Sequence, residues 1–167
     1  MNEVTINKNA RLSDHFTIGE LTKTSAKGID NTPSHAAVLN LKNLCENWLE
    51  ELRYSYNLLY CLQPGEDYET SKNVEPIIIN SGFRSEAVNK AIGGVKGSNH
   101  LTGCAVDIRV TGIEQAIRYA CILLDISAKY ERDYDELLIE RSPKGTFWVH
   151  FAVRPKDNRR KVRFIQT

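Results

Sequence analysis

Apolar positions recur along the chain with two different periods. From Ser34 onward, Val38, Leu41, Leu44, Cys45, Trp48, Leu49 and Leu52 return at intervals of three and four. That spacing predicts an amphipathic helix, N-capped by Ser34 and running toward Leu58 or Leu59. A second helix is predicted over residues 112–128, on Ile113, Ala116, Ile117, Ala120, Ile122, Leu123 and Leu124. A shorter one starts at Ser85, carries Ala87, Val88 and Ala91, and stops at Gly93-Gly94. Near the start, Thr17 or Ser13 is placed to cap a turn leading to Glu20 and Leu21. Period-two or continuous apolar runs predict strands at 76–80, 105–110, 137–140 and 147–153, the last two joined by the turn Ser142-Pro143-Lys144-Gly145. Residues 63–73 are polar and open on Pro64-Gly65, which marks a loop. With helices early and in the middle and strands few, the fold class is α+β: helices packed on a small, mainly antiparallel sheet.

Composition narrows this without redirecting it. At 167 residues the chain suits one domain over its whole length, with a sizeable core. Hydrophobic residues make up 41% and charged residues 26%, as in ordinary globular proteins. Lys plus Arg number 22 against 21 for Asp plus Glu, so no net field favours nucleic acid as a partner. Basic character gathers only at Arg159, Arg160, Lys161 and Arg163, read as a solvated strand end with some capacity to hold anionic wall polymers. No apolar run reaches the length of a membrane span. The opening residues lack the basic and apolar regions of a secretion signal, so synthesis in a cytoplasm is expected. The four cysteines show no CxxC pair and are expected as free thiols. Nothing points to an oligomer, and a monomer is expected.

Chemistry enters with three residues. His100 sits in a Gly-rich polar segment, while Asp107 and His150 interrupt apolar strands. A buried carboxylate without a partner or a metal costs several kcal/mol. Strand alternation puts Val106, Ile108 and Val110 on one face and Ala105, Asp107 and Arg109 on the other. It likewise separates Phe147, Val149, Phe151 and Val153 from Trp148, His150 and Ala152. Each strand thus offers one apolar face and one face bearing a potential ligand beside a small residue. Two His and one Asp give zinc three protein ligands with a fourth position open, the pattern of a catalytic site. Iron accepts the same residue types. The lack of a second His or Glu close to His100 favours zinc.

The order of residues adds a resemblance. Ser98-Asn99-His100-Leu101-Thr102-Gly103-Cys104-Ala105-Val106-Asp107 resembles the SxHxxGxAxD motif of the M15 zinc peptidases, the D-alanyl-D-alanine carboxypeptidase and dipeptidase group. Ser81-Gly82-Phe83-Arg84-Ser85 is similar to the SGxRS segment of that family, and Trp148-Val149-His150 to the segment carrying its last ligand. Phe16 to Leu21 and Gly28 to Pro33 resemble the opening of one branch of this family, common in phage and prophage lysis proteins. The resemblance implies the fold shared by hedgehog signalling domains and D-Ala-D-Ala peptidases. It also implies hydrolysis of peptide bonds in peptidoglycan stem peptides or crosslinks, by an endolysin-type endopeptidase or a carboxypeptidase. Residue by residue, His100, Asp107 and His150 would bind Zn2+, and Arg84 would bind substrate or stabilise the oxyanion. A cytoplasmic product of this kind would reach the wall by lysis from within.

One position departs from the family pattern. Many members carry a carboxylate three residues before the last ligand, and here that residue is Phe147. Glu140 is the nearest upstream carboxylate, with Asp135 and Glu136 earlier. One hairpin register sets Glu140 across from Trp148 on the face of His150, and a slip by one residue sends it to the opposite face. Glu140 is the candidate general base on the first register. Trp148 is a candidate cleft wall or a core residue. Ser98 is a candidate substrate contact, or with Asn99 a brace for the His100 loop. The competing function is a non-catalytic, zinc-containing module that binds peptidoglycan or another protein.

Overall fold

A computed structural model describes residues 7–167; residues 1–6, within the stretch read above for a secretion signal, lie outside them. The first element, α1 (Ile18–Leu21), is a single turn closed by a capping box. Thr17 accepts from the Glu20 backbone while the Glu20 carboxylate accepts from the Thr17 backbone. Ser34 caps α2 (His35–Leu44), as its spacing predicted. That helix continues through a five-residue π-turn (Cys45–Leu49) into α3 (Glu50–Tyr60). Buried positions in the first part step by four, as in Ala37, Leu41, Cys45 and Leu49. Each such step overshoots a 3.6-residue turn by about 40°. The wider π-turn takes up the accumulated drift and returns Leu52 and Tyr56 to the core.

The sheet holds β1 (Ile79–Ser81), β2 (Ala105–Arg109), β3 (Glu136–Arg141), β4 (Phe147–Ala152) and β5 (Lys161–Gln166), in the spatial order β1-β2-β4-β3-β5. All neighbours run antiparallel except β3 and β5, which are parallel. The sheet is therefore mixed and mostly antiparallel, and of the basic C-terminal residues Lys161 and Arg163 lie in the paired edge strand β5, with Arg159 and Arg160 just before it. Helix α4 (Glu86–Ala91) follows β1, capped by Ser85, and α5 (Ile113–Lys129) follows β2. Among the described residues no helix is long and apolar enough to cross a membrane.

The two sheet faces divide as the alternation requires. Val106, Ile108, Leu137, Val149 and Phe151 turn into the core with Leu21, Leu41, Leu44, Leu49, Leu52 and Leu123. Trp48 of the π-turn meets the Phe151 ring at a centroid distance of 4.9 Å. The opposite face carries Asp107 and His150, which are directly paired across β2 and β4.

Candidate metal centre

Three ligand atoms converge on that face. His150 Nδ1 lies 3.0 Å from Asp107 Oδ1, His100 Nε2 lies 3.3 Å from the same oxygen, and the two nitrogens are 3.3 Å apart. A tetrahedral zinc with bonds of about 2.0–2.1 Å sets its ligand atoms about 3.3 Å apart, so the triangle fits a zinc ion. All three residues are buried, with 2%, 8% and 7% of their surface exposed for His100, Asp107 and His150. The cluster can hold a metal ion.

Local structure fixes each ligand. His100 lies not in an open loop but in a 3-10 turn (Asn99–Thr102), capped by Ser98, whose hydroxyl accepts from the His100 backbone at 3.3 Å. Gly103 closes the turn in the left-handed region at φ 70°. A Cβ there would also sit 2.5 Å from the Ala37 carbonyl oxygen. His100 Nδ1 donates to the Gly82 carbonyl at 2.6 Å, which directs Nε2 at the cluster. Gly82 is held tightly in turn: a Cβ on it would lie 2.3 Å from the Leu21 carbonyl oxygen. A bulge in β1 brings Ser81 opposite Asp107.

Arg84 reaches the same carboxylate. Its guanidinium pairs with Asp107 Oδ2, and its Nε donates to Ser81 Oγ at 2.8 Å. Arg84 and Ser81 also line a cleft of about 360 Å³, together with the polar Lys23 and Ser25 and the apolar Val88 and Ile92. Ser98 does not line this cleft; its hydroxyl caps the His100 turn.

The hairpin adopts the register that faces Glu140 toward the cluster. Glu140 pairs with Trp148 and Leu138 with His150, so Glu140 is a diagonal neighbour of His150 on one face. Such diagonals lie about 7–8 Å apart at the backbone, within reach of a long side chain. Phe147 turns to the other face, where its ring meets Phe164. Trp148 is half-buried and stands between Arg109 and Glu140 in the register, on the face of the cluster rather than in the core. Burial pushes the Glu140 carboxyl above its ordinary range, with Asp107 adding to the effect and His150 opposing it. Asp135, one of the two earlier upstream acids, is fully buried. It accepts from Arg159 at 2.6 and 2.9 Å and from Asn99 at 2.8 Å, which leaves it no access to a substrate.

The charges within the cluster reinforce one another. Burial works against ionised Asp107, but His100 and His150 outweigh it and hold its carboxyl well below the usual carboxylate range. Burial likewise pulls His150 down, yet Asp107 and Glu136 prevail and it is pushed up to about 9. The Glu136 carboxyl falls to about 2, first because His150 faces it and then through Lys161, against the pull of burial. In the sequence Glu136 stood only as an earlier upstream carboxylate, without a role. The strand alternation that selected Glu140 also puts Glu136, four residues earlier, on the same face.

A family model described as Peptidase M15 matches residues 14–125, about two thirds of the chain. No curated relative matches it. The matched stretch carries Arg84, His100 and Asp107 and ends before Glu136, Glu140 and His150, whose places are given by the sheet register alone.

Proposed function

The chain belongs to the M15 peptidase family, whose His-Asp-His metal-binding triad is here His100, Asp107 and His150, and from that premise we propose a zinc peptidase that hydrolyses peptide bonds in bacterial peptidoglycan. The observation that carries the reading is the convergence of three ligand atoms on the sheet face that Glu140 shares. His100, Asp107 and His150 would hold a zinc ion, which when bound would supply Lewis-acid polarisation of a peptide carbonyl and a lowered pKa for its water. Glu140 takes a proton from the attacking water and returns it to the leaving amine nitrogen. Its raised pKa brings it nearer the working pH, where a proton shuttle is most effective. Arg84 orients Asp107 with part of its guanidinium and presents positive charge to the cleft, where a substrate carboxylate or the developing oxyanion is stabilised. Trp148 borders the approach to Glu140 and offers an apolar surface to a small side chain or sugar.

The fold proposed is that of hedgehog domains and D-Ala-D-Ala peptidases, and the substrate is the stem peptide or its crosslink. The enzyme acts on the wall after synthesis in a cytoplasm, with release by lysis. The test is digestion of purified, crosslinked peptidoglycan with mass analysis of the products. It compares zinc-loaded protein, chelated protein and Glu140→Gln with its zinc content measured. We expect zinc-dependent release of stem-peptide fragments, and a loss of about 10²–10⁴-fold in Glu140→Gln at unchanged zinc content. Bound zinc without cleavage of any wall type would instead support the non-catalytic binding module, and cleavage that survives Glu140→Gln would remove Glu140 as the base.

A further inference from the structure

His150 presents Nδ1 to the cluster, so its other ring nitrogen, Nε2, points away. Nε2 is buried and makes no hydrogen bond of ordinary geometry; a carboxylate oxygen, Glu136 Oε2, faces it at 3.4 Å. A buried ring N–H left without an acceptor is destabilising, and a metal-binding imidazole needs that N–H fixed so that its other nitrogen keeps a free lone pair. Glu136 is itself held from several sides. Asn99, the residue before His100, donates to Oε2 at 3.2 Å. Arg159 and Lys161 of the C-terminal segment approach Oε1 at 2.9 and 3.1 Å. Asn99 also donates to Asp135, which Arg159 grips as well, so the same donors lock both acids.

We infer, building on the zinc reading above, that Glu136 is a positioning residue of the metal centre, orienting His150 from behind, and that the basic segment ending in β5 serves to hold Glu136 in place. Its role is distinct from that of Glu140. Glu136 meets the nitrogen that faces away from the cluster, so it touches neither substrate nor reacting atoms. The Arg159 and Lys161 side chains thereby gain a task inside the site, reached through the parallel pairing of β3 and β5. The bland alternative is that Glu136 only neutralises Lys161 and Arg159 at the sheet edge.

The experiment is zinc titration of the full chain against a chromogenic chelator, with the thermal stability of the metal-free protein measured alongside. Four proteins are compared: the parent, Glu136→Gln, Glu136→Ala, and Glu136→Ala combined with Lys161→Met. Loss of an outer partner of a ligating histidine weakens metal binding about 10–100-fold. We expect that loss in Glu136→Ala, and affinity within a few-fold of the parent in Glu136→Gln, whose amide oxygen still accepts from Nε2. The double variant should regain stability, because the unpaired lysine is gone, while its zinc affinity stays low. In the metal-free proteins held well above about pH 9, where the ring is neutral, nitrogen-15 shifts of His150 report the same event directly, with Nε2–H dominant in the parent and mixed tautomers in Glu136→Ala. Parent-like affinity in Glu136→Ala, or affinity restored in the double variant, overturns the positioning role and leaves the zinc reading standing. A parent that takes up no zinc overturns both.

Discussion

His150 keeps a proton at neutral pH in the metal-free protein, because Asp107 and Glu136 flank its ring and raise its pKa to about 9. The folded-state value lies above the ordinary histidine value. The stability this contributes is therefore fully present below about pH 6.5 and is lost as pH rises through about 9. A metal must displace that proton, so zinc affinity should climb about tenfold per pH unit below about 9 and then level off. Calorimetric titration in buffers of different ionisation heat would read close to one proton released per zinc at about pH 7.5. Release of none would show that His150 is already neutral there. The three ligands could be picked from the sequence because each is anomalous where it stands: a carboxylate and an imidazole inside strands whose other faces are apolar, each beside a small residue, and a second imidazole in a Gly-rich turn. Glu136 was not, because an acidic residue opening a strand is commonplace until the residue across from it is known to be a ligand's neighbour.

At the scale of elements, Gly82 joins two of them at once. Its carbonyl fixes His100 while its Cα lies against the end of α1, where Phe83 also donates to the Leu21 carbonyl at 2.7 Å. A methyl group there would meet the Leu21 backbone at 2.3 Å, and backbone rather than a flexible side chain must move. Gly82→Ala should cost about 1–3 kcal/mol in chemical denaturation. It should also weaken zinc binding, since the acceptor for His100 Nδ1 shifts. Unchanged affinity would mean that the turn re-seats without help from β1. The elements that were legible beforehand include those with long periodic signals, α2 through α3, α5, and the β3–β4 hairpin with its turn, and also the shorter β1, β2 and Ser85-capped α4. Three others were not. The His100 turn is four residues of 3-10 helix, too short to leave a period. The π-turn hides within spacings of three and four that read as uninterrupted α-helix. The pairing of β5 depends on where the chain runs between residues 153 and 160, which no local pattern encodes.

For the whole molecule, the sheet separates two tasks. One face is committed to the apolar core, and the other holds the charges that would otherwise be costly to bury, so metal binding and folding draw on the same framework. Zinc at a hundredfold excess over its Kd should add about 2.7 kcal/mol, a rise of roughly 5–10 °C in Tm for a chain of this size, and chelation should reverse it. A Tm indifferent to zinc would mean that the metal does not bind the folded state. The long helix spans the molecule between two neighbours. Its first half braces the His100 turn, where Asn40 donates to the Thr102 carbonyl at 2.9 Å. Its second half meets α5, where the Tyr56 and Tyr119 rings lie 4.8 Å apart. Between them the Glu50 amide donates five residues back to Cys45, so the segment contains one residue more than an α-helix of the same span needs. Within the long helix, the chain can therefore be shortened at this turn without disturbing what lies on either side. Deleting the exposed Glu46 converts the segment to ordinary helix and leaves both halves facing their partners. Deleting the equally exposed Tyr54 turns the helix beyond it by about 100° and swings Tyr56 away from Tyr119. The first deletion should yield a folded, zinc-binding protein with a melting temperature close to the parent's, and the second should not.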